Sequence, residues 1–265
     1  MSPAARLNAL RDQIRQIEGS TRHGVLPFGV AAIDRGLPGG GLALGAVHEI
    51  VGQGGDEEDG TAAAGFAAGI LARLGPGPIL WCLKRPDLYG PGVAEHGLDP
   101  ARLVLVIAAR DEEILWAVEE GLRTSGLAAV VGEVGRWPMV AGRRLQLAAE
   151  RSGVTALLLR RWRNASEAAE ERARPSAALS RWRVGALPSL GVMDEPGLGR
   201  ARWRVELLRM RGGVPGWWDV EVADATGCLS LSAELADRPA APAGRPAVPG
   251  RPPAGAGVPG IRRAG

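Results

Sequence analysis

Lysine is almost absent from this sequence. Of its 32 basic side chains only Lys84 is a lysine, so any chemistry that needs a lysine amine must use that residue. Cysteine is also scarce. The two cysteines, Cys82 and Cys228, are too few for a disulfide scaffold and do not form a CxxC zinc motif. No apolar run reaches the roughly 18 residues of a membrane span, and residues 1–19 lack the apolar core of a signal peptide. We therefore expect a cytoplasmic protein.

Charge is distributed unevenly along the chain, although the net charge is only +3. Residues 40–120 carry 13 acidic and 5 basic side chains, whereas residues 136–211 carry 16 basic and 7 acidic ones. The second of these regions is the one suited to bind a polyanion.

Both ends of the chain differ from its middle. Residues 1–23 are predicted to form an amphipathic helix and a linker, and such a helix can dock on its own domain or on a partner. Its apolar positions at helical spacing are Leu7, Leu10, Ile14 and Ile17. Residues 237–265 consist mainly of Pro, Ala, Gly and Arg, and we expect a disordered tail because they offer little apolar surface to bury. Residues 24–236 are assigned to one domain.

The middle of the chain alternates apolar runs with helical patterns. The predicted strands are residues 46–51, 78–83, 102–108, 127–134 and 154–159, and the predicted helices are 61–74, 111–124 (capped by Asp111) and 137–151. This alternation predicts an α/β fold with a mostly parallel sheet flanked by helices. Four later segments with extended patterns predict an antiparallel C-terminal extension of the sheet, at residues 178–187, 202–211, 217–223 and 228–233.

The first predicted strand leads into a glycine-rich turn and then a helix, which is the setting of a P-loop. In a P-loop the backbone amides bind phosphate, a lysine reaches the terminal phosphates, and a Ser or Thr hydroxyl holds magnesium. The glycines of this turn are Gly52, Gly54, Gly55 and Gly60. When the motif is aligned on Gly55 and Gly60, Thr61 occupies the lysine position and Ala62 the hydroxyl position.

Acidic residues 56–59 lie inside this degenerate loop. Each carboxylate close to a bound phosphate would cost about 1 kcal/mol or more. The sequence therefore predicts no ATPase activity, no catalytic residues and no bound cofactor, unless Lys84 replaces the missing lysine. The acidic run matches no EF-hand spacing, so we interpret it as a solvated loop and predict no metal site.

Other polar residues are interpreted as structural. Glu133 ends a predicted strand where P-loop ATPases place a magnesium ligand, and we expect an exposed strand-end carboxylate there. The three histidines, His23, His48 and His96, have no neighbouring nucleophile in the sequence.

Several ordered motifs resemble a known family. Residues 26–50, with the sequence LPFGVAAIDRGLPGGGLALGAVHEI, resemble the entry to the ATPase core of RecA-like proteins. The sequences Asp87-Leu-Tyr-Gly-Pro-Gly, Gly97-Leu-Asp-Pro-Ala-Arg-Leu and Val130-Val-Gly-Glu-Val resemble the ImuA family, and the likeness extends over about residues 24–235.

This resemblance implies a RecA-like fold and a bacterial role in SOS mutagenesis and translesion synthesis. The implied partners are an ImuB-like protein, which is an inactive homologue of Y-family polymerases, and an error-prone C-family polymerase. RecA and single-stranded DNA are further candidate partners, and the implied location is the cytoplasm, at the nucleoid when DNA is damaged. Because Thr61 and Ala62 depart from the P-loop pattern, no ATPase residue is carried over.

Four residues after the last predicted parallel strand are candidates for binding DNA or a partner: Arg160, Arg161, Trp162 and Arg163. In RecA-like folds the corresponding loop faces the DNA, which makes residues 161–175 a candidate DNA-facing loop. Arginine contacts phosphates and tryptophan stacks on bases of single strands. The same face can instead bind an acidic surface of a polymerase partner, and we expect Trp182 and Trp203 to be buried in strands.

Three functions stay open at this point. The first is a non-enzymatic accessory protein of a translesion polymerase assembly. The second is a divergent ATP-dependent RecA-like DNA-binding protein, and the third is a SulA-like inhibitor of cell division.

Overall fold

The computed structural model describes residues 23–54, 56–162, 165–172, 174–189 and 199–231. The predicted N-terminal helix and the C-terminal tail lie outside the described residues, as do Gly55 and Arg163.

The described residues form short strands and helices in alternation. The strands are β1 (Val25–Leu26), β2 (Leu42–Ala43), β3 (Val47–Gly52), β4 (Ile79–Leu83), β5 (Leu103–Ile107), β6 (Ala129–Val134), β7 (Thr155–Arg160), β8 (Ser180–Leu187), β9 (Arg202–Met210), β10 (Gly216–Glu221) and β11 (Ser230–Leu231). The α-helices are α1 (Ala31–Asp34), α2 (Asp56–Ala72), α3 (Gly90–Glu95), α4 (Asp111–Arg123), α5 (Met139–Ser152) and α6 (Ala165–Arg172). Two 3₁₀ turns occupy Pro38–Gly40 and Pro100–Arg102.

Nine of the strands form one mixed sheet in the order β11-β10-β9-β8-β3-β7-β6-β4-β5. The six strands from β8 to β5 are parallel to one another. Strands β9, β10 and β11 continue the sheet with antiparallel pairing. The structure thus confirms the predicted α/β fold, including the antiparallel extension. The short strands β1 and β2 pair separately.

Apolar layers cover both faces of the central parallel strands. Strands β3, β6 and β7 are buried at every residue, as expected for central strands with helices on both sides. On one face α2 packs Phe66 against the sheet, while on the other α4 contributes Ile114 and α5 contributes Leu145. Full burial of a side chain of this size stabilises the fold by about 1.5–3 kcal/mol.

One glycine lets helix α4 approach the sheet closely. A Cβ atom on Gly132 of β6 would lie 2.7 Å from a methyl group of Val118 and 3.1 Å from one of Leu158. Because real Cβ atoms do not approach other carbons so closely, any larger residue would push α4 away from β6. Gly132 therefore fixes the distance between α4 and the strand that ends at Glu133 and Val134.

Asp111 is the first residue of α4, and not its cap as the sequence predicts, because Arg110 holds the N-cap position. The Asp111 carboxylate instead accepts backbone N–H groups from Gly135 at 3.0 Å and Arg136 at 3.1 Å. It also pairs with Lys84 Nζ at 2.5 Å. Asp111 thus links the segments that follow β4, β5 and β6 at the carboxyl edge of the sheet.

Helix boundaries differ most from the prediction near the candidate sites. Helix α2 begins at Asp56, five residues before the predicted start, and acidic residues in a first turn suit the helix dipole. Helix α6 lies within the segment predicted to be a loop at 161–175. Its alanines and glutamates are good helix formers. Helix α3 was not predicted, because two glycines and a proline weaken its helical pattern.

Candidate functional site

The turn between β3 and α2 is held by the carboxylate of Asp59. Its Oδ2 accepts the backbone N–H of Gly54 at 2.6 Å, and its Oδ1 accepts the backbone N–H of Ala186 at 3.0 Å. The N–H of Gln53 donates to the carbonyl of Val184 at 2.9 Å. The turn is therefore fastened to β8 both by its backbone and by an acidic side chain from the first helical turn.

This arrangement corrects the expectation of a solvated acidic loop at Asp59, and residues 56–59 form the first turn of α2 rather than a loop. Asp59 is only 8% exposed, because both of its oxygens are used by buried or partly buried amides. Hydrogen bonds to a carboxylate are about twice as strong as neutral ones. An anion of the chain itself thus holds the amide of Gly54 in the glycine-rich turn.

The positions aligned with the P-loop lysine and hydroxyl lie just beyond Asp59. Gly60 and Thr61 line a cleft, and the Thr61 side chain is exposed there, whereas Ala62 is buried in the core. Lys84, the lysine proposed as a replacement, has its ammonium paired with Asp111. Thr61 and Ala62 carry no charge, and the one lysine of the chain is engaged in an ion pair.

The cleft has a volume of about 630 Å³ and lies at the carboxyl edge of the parallel strands. Its walls come from the first turns of α2, the β4–α3 connection, α3, and the ends of β6 and β7. Ligands of open α/β sheets bind at this edge. The cleft is therefore the candidate binding site of the described residues.

Glu133 and Arg161 form the charged base of this cleft. Glu133 is buried, which corrects the expectation of an exposed strand-end carboxylate. Its Oε1 accepts Nε1–H of Trp81 at 2.8 Å, and its Oε2 lies 3.4 Å from Nε of Arg161. Arg161 also donates to Asp87 at 2.8 Å, and Arg85 lies 3.4 Å from the same carboxylate. Opposite charges thus alternate along the cleft.

The candidate DNA-binding residues divide into buried and accessible side chains. Arg160 is 5% exposed and Trp162 is 2% exposed, so both point into the protein and cannot present a guanidinium or an indole to DNA. The guanidinium of Arg160 stacks over the ring of Trp162, and both side chains donate to the carbonyl of Gly135. Arg161, at the cleft, is the partly exposed member of the three that the structure describes.

A buried charge cluster, which the sequence analysis does not anticipate, explains the position of Arg160. Glu49 in the middle of β3 accepts Arg160 Nη1–H at 2.6 Å and Arg181 Nε–H at 2.8 Å. The three residues lie on the neighbouring strands β7, β3 and β8. The available signal was Glu49 itself, because a carboxylate within a buried strand requires a cationic partner.

His48, next to Glu49, belongs to a fully buried hydrogen-bond network. Its Nε2 lies 2.7 Å from the carbonyl of Ala43, so Nε2 carries the proton, and its Nδ1 accepts the hydroxyl of Ser180 at 2.6 Å. Nε1–H of Trp182 donates to the same hydroxyl. Burial lowers the pKa of His48 from 6.5 to about 4, against the opposing effect of the Ala43 hydrogen bond.

The other two histidines also contact backbone carbonyls. His23 Nε2 lies 2.9 Å from the carbonyl of Glu150, and His96 Nδ1 lies 3.1 Å from that of Ala223. His96 lines the cleft and packs against Trp203 with ring centroids 5.2 Å apart. Trp203 and Trp182 are buried, as predicted.

Neither a metal-binding cluster nor a membrane-spanning helix is found among the described residues. No group of three or more His, Cys, Asp and Glu side chains there is arranged to hold a metal ion. Within the same residues, no helix combines the length and hydropathy that crossing a membrane requires.

The fold and the site define an α/β protein whose glycine-rich turn between β3 and α2 is held by the carboxylate of Asp59. No family model matches the chain. The chain is 42% identical over 207 residues to Protein ImuA of Caulobacter vibrioides strain NA1000 / CB15N, a match that covers 76% of this chain and 84% of that protein. The same values hold for Protein ImuA of Caulobacter vibrioides strain ATCC 19089 / CIP 103742 / CB 15. The chain belongs to the ImuA family.

Proposed function

We propose that this protein is a non-enzymatic accessory protein of DNA-damage-induced mutagenesis with a RecA-like core. On this proposal it acts in the SOS response together with an ImuB-like protein and an error-prone C-family polymerase. Membership of the ImuA family supports an ImuA-type role. The partners and the response follow from the resemblance of the sequence motifs described above.

The hydrogen bonds of Asp59 are the observation that carries the non-enzymatic part of the proposal. A nucleotide phosphate at this turn would have to displace a buried carboxylate from the amides of Gly54 and Ala186. It would then meet Thr61, which has no positive charge, in place of a lysine. The internal anion and the missing cation both disfavour phosphate binding.

Calorimetry with Mg-ATP tests this part. We expect no heat of binding from the full-length protein at millimolar nucleotide, and the same result from Lys84→Ala. ATP hydrolysis in the presence of single-stranded DNA, at rates typical of recombinases and abolished by Lys84→Ala, would overturn the proposal. That result would favour the ATP-dependent DNA-binding protein instead.

The cellular role is tested by deletion and by affinity capture. We expect deletion of the gene to lower the mutation frequency after DNA damage, and expression of the full chain to restore it. Capture of the tagged full chain from damage-treated cells should recover the ImuB-like protein and the C-family polymerase. An unchanged mutation frequency, or filamentation on overproduction with capture of the division GTPase, would contradict the proposal and favour a cell-division inhibitor.

A further inference from the structure

Two arginines lie directly opposite each other where strands β8 and β9 pair. Arg181 is the second residue of β8, Arg209 is the last but one of β9, and the register makes them cross-strand partners. Like charges in this arrangement destabilise a sheet. The pair lies at the amino edge of the parallel strands, whereas the cleft lies at their carboxyl edge.

The carboxylate of Glu49 compensates the charge of Arg181 but does not pair with Arg209. Glu49 lies beside Arg181 in the register of β3 with β8, and its two oxygens accept hydrogen bonds from Arg160 and Arg181. In the part of the chain that the structure describes, no carboxylate forms an ion pair with Arg209. Partial burial lowers the pKa of Arg209, and the charges of Arg181 and Arg211 lower it further, against the opposing effect of Glu49. Positive charge is therefore in excess around Arg209.

Residues 174–179, which lead into β8, hold the guanidinium of Arg209 in place. Its Nη2 group donates to the carbonyl of Ser176 at 2.7 Å and to that of Ala178 at 2.6 Å. Arg209 is nevertheless exposed, and its Nε and Nη1 groups form no hydrogen bond with the described residues. The guanidinium is thus oriented by the backbone and keeps donors for a ligand.

Two more exposed arginines border the same segment. Arg174 begins it, and the N–H of Arg211 donates to the carbonyl of Leu179 at 3.1 Å. No carboxylate among the described residues pairs with Arg211. We call Arg174, Arg209 and Arg211 the arginine patch.

The surroundings of the arginine patch favour a nucleic acid over a protein as its ligand. The large apolar side chains that the described residues expose all lie outside residues 174–179 and 207–211. The centre of a protein interface usually contains such side chains. A nucleic acid backbone instead requires closely spaced cations, and the planar guanidinium matches the geometry of a phosphate.

We propose that the arginine patch binds the phosphate backbone of DNA, with Arg209 and Arg211 as its principal contacts. A bound phosphate supplies the negative charge that the opposed pair of Arg181 and Arg209 lacks. Because contacts to the backbone carry no sequence information, this site binds DNA without sequence preference. It is distinct from Arg161, which lies at the cleft on the other edge of the sheet.

Fluorescence anisotropy with the full chain tests the site, using a labelled single-stranded oligonucleotide and the corresponding duplex at several salt concentrations. The described residues give the Arg211 side chain no hydrogen bond or ion pair, so Arg211→Ala should fold normally. We expect its dissociation constant for DNA to rise about fivefold or more, and the number of phosphate contacts derived from the salt dependence to fall by about one. The control Arg123→Ala removes the same charge from α4, and it should change DNA binding little.

Two outcomes of this titration would overturn the proposal. The first is an equal DNA affinity of the wild type, Arg211→Ala and Arg123→Ala. The second is binding of poly-glutamate that depends on Arg211, without binding of either DNA, which would assign the patch to an acidic protein surface. The site does not depend on the proposed partners: a protein that captures the polymerases but binds no DNA would refute this site alone.

Substitutions of Arg209 separate a ligand contact from a structural role. We expect Arg209→Gln to weaken DNA binding as Arg211→Ala does, whereas Arg209→Lys keeps the charge and should retain most of the affinity. Circular dichroism checks that both variants fold. Equal losses of DNA affinity in Arg209→Gln and Arg209→Lys, with none in Arg211→Ala, would show that Arg209 only holds residues 174–179 and would contradict the proposal.

Discussion

The Asp59 carboxylate and the Gly54 amide form a 2.6 Å hydrogen bond across the glycine-rich turn between β3 and α2. The same carboxylate reaches Ala186 on β8, so one side chain fixes the turn to the sheet. We expect Asp59→Ala to lower the free energy of unfolding by about 2–4 kcal/mol, because it leaves two amides without their anionic acceptor. Urea denaturation measures this loss.

The matched control is Asp59→Asn, which keeps the size of the side chain and one acceptor oxygen. It should lose clearly less stability than Asp59→Ala. Equal stability of the wild type and Asp59→Ala would show that the carboxylate does not hold the turn.

The buried cluster around Glu49 gives a second prediction. Glu49→Gln removes the negative charge that compensates Arg160 and Arg181, and leaving buried charges unpaired costs about 3–5 kcal/mol. We expect a loss of this size in denaturant unfolding. The same substitution at Glu113, whose ion pair with Arg110 is exposed, should change stability little. A similar small effect at both positions would contradict the importance assigned to the cluster.

Stability should depend on pH through His48. Its pKa is 6.5 when unfolded and about 4 when buried, so the unfolded chain binds the proton more readily between these values. The contribution of neutral His48 to the free energy of unfolding is complete above pH 6.5 and is lost as the pH falls towards 4. The linkage predicts a loss of about 2 kcal/mol between pH 7 and pH 5.

Urea titrations of the wild type and His48→Gln at these two pH values isolate the effect, because the carboxylates titrate in both proteins. We expect the difference in unfolding free energy between the two proteins to shrink at pH 5. An unchanged difference would show that burial does not suppress protonation of His48.

Contact with single-stranded DNA, if made through the segment after β7, should depend on Arg161. Its side chain reaches the cleft, whereas Arg160 and Trp162 are buried. We expect Arg161→Ala to weaken DNA binding without unfolding the protein. The number of phosphate contacts derived from the salt dependence of binding should fall by about one. Fluorescence anisotropy of a labelled oligonucleotide at several salt concentrations measures both quantities.

Arg123→Ala provides the control for this experiment. Arg123 is an exposed arginine of α4 that pairs with Glu119 and Glu120, away from the lining of the cleft. DNA affinity that is the same for wild type, Arg161→Ala and Arg123→Ala would remove Arg161 from the candidate interface.

The sheet could be predicted from the sequence because its central strands are apolar on both faces. Strands β6 and β7 are mainly apolar, and β3 is apolar apart from His48, Glu49 and Gly52. The predicted bounds of all three differ from the structure by at most two residues. Pairing order could not be predicted, since it depends on contacts between distant segments such as β3 with β8. Helix α3 was missed for a local reason, its low helix propensity.

The candidate site was predicted only in outline. The glycine-rich turn and the residues at the lysine and hydroxyl positions could be located by spacing, but the inward direction of Asp59 depends on an amide 127 residues away. Arg160 and Trp162 were predicted to be an exposed pair of a basic and an aromatic residue, because their burial also depends on residues that are distant in the sequence. The local sequence does not reveal that Arg160 is buried because it pairs with Glu49, which lies 111 residues earlier in the chain.

The hydrogen bond between Asp59 and Gly54 bears on how such a protein would be controlled. On the proposed function this turn binds no nucleotide, so it would provide no nucleotide-driven cycle of binding and release. On the proposed function, the supply of active protein then depends on synthesis and degradation. Timing of the mutagenic response would be set at the level of gene expression, and its end by proteolysis or dilution.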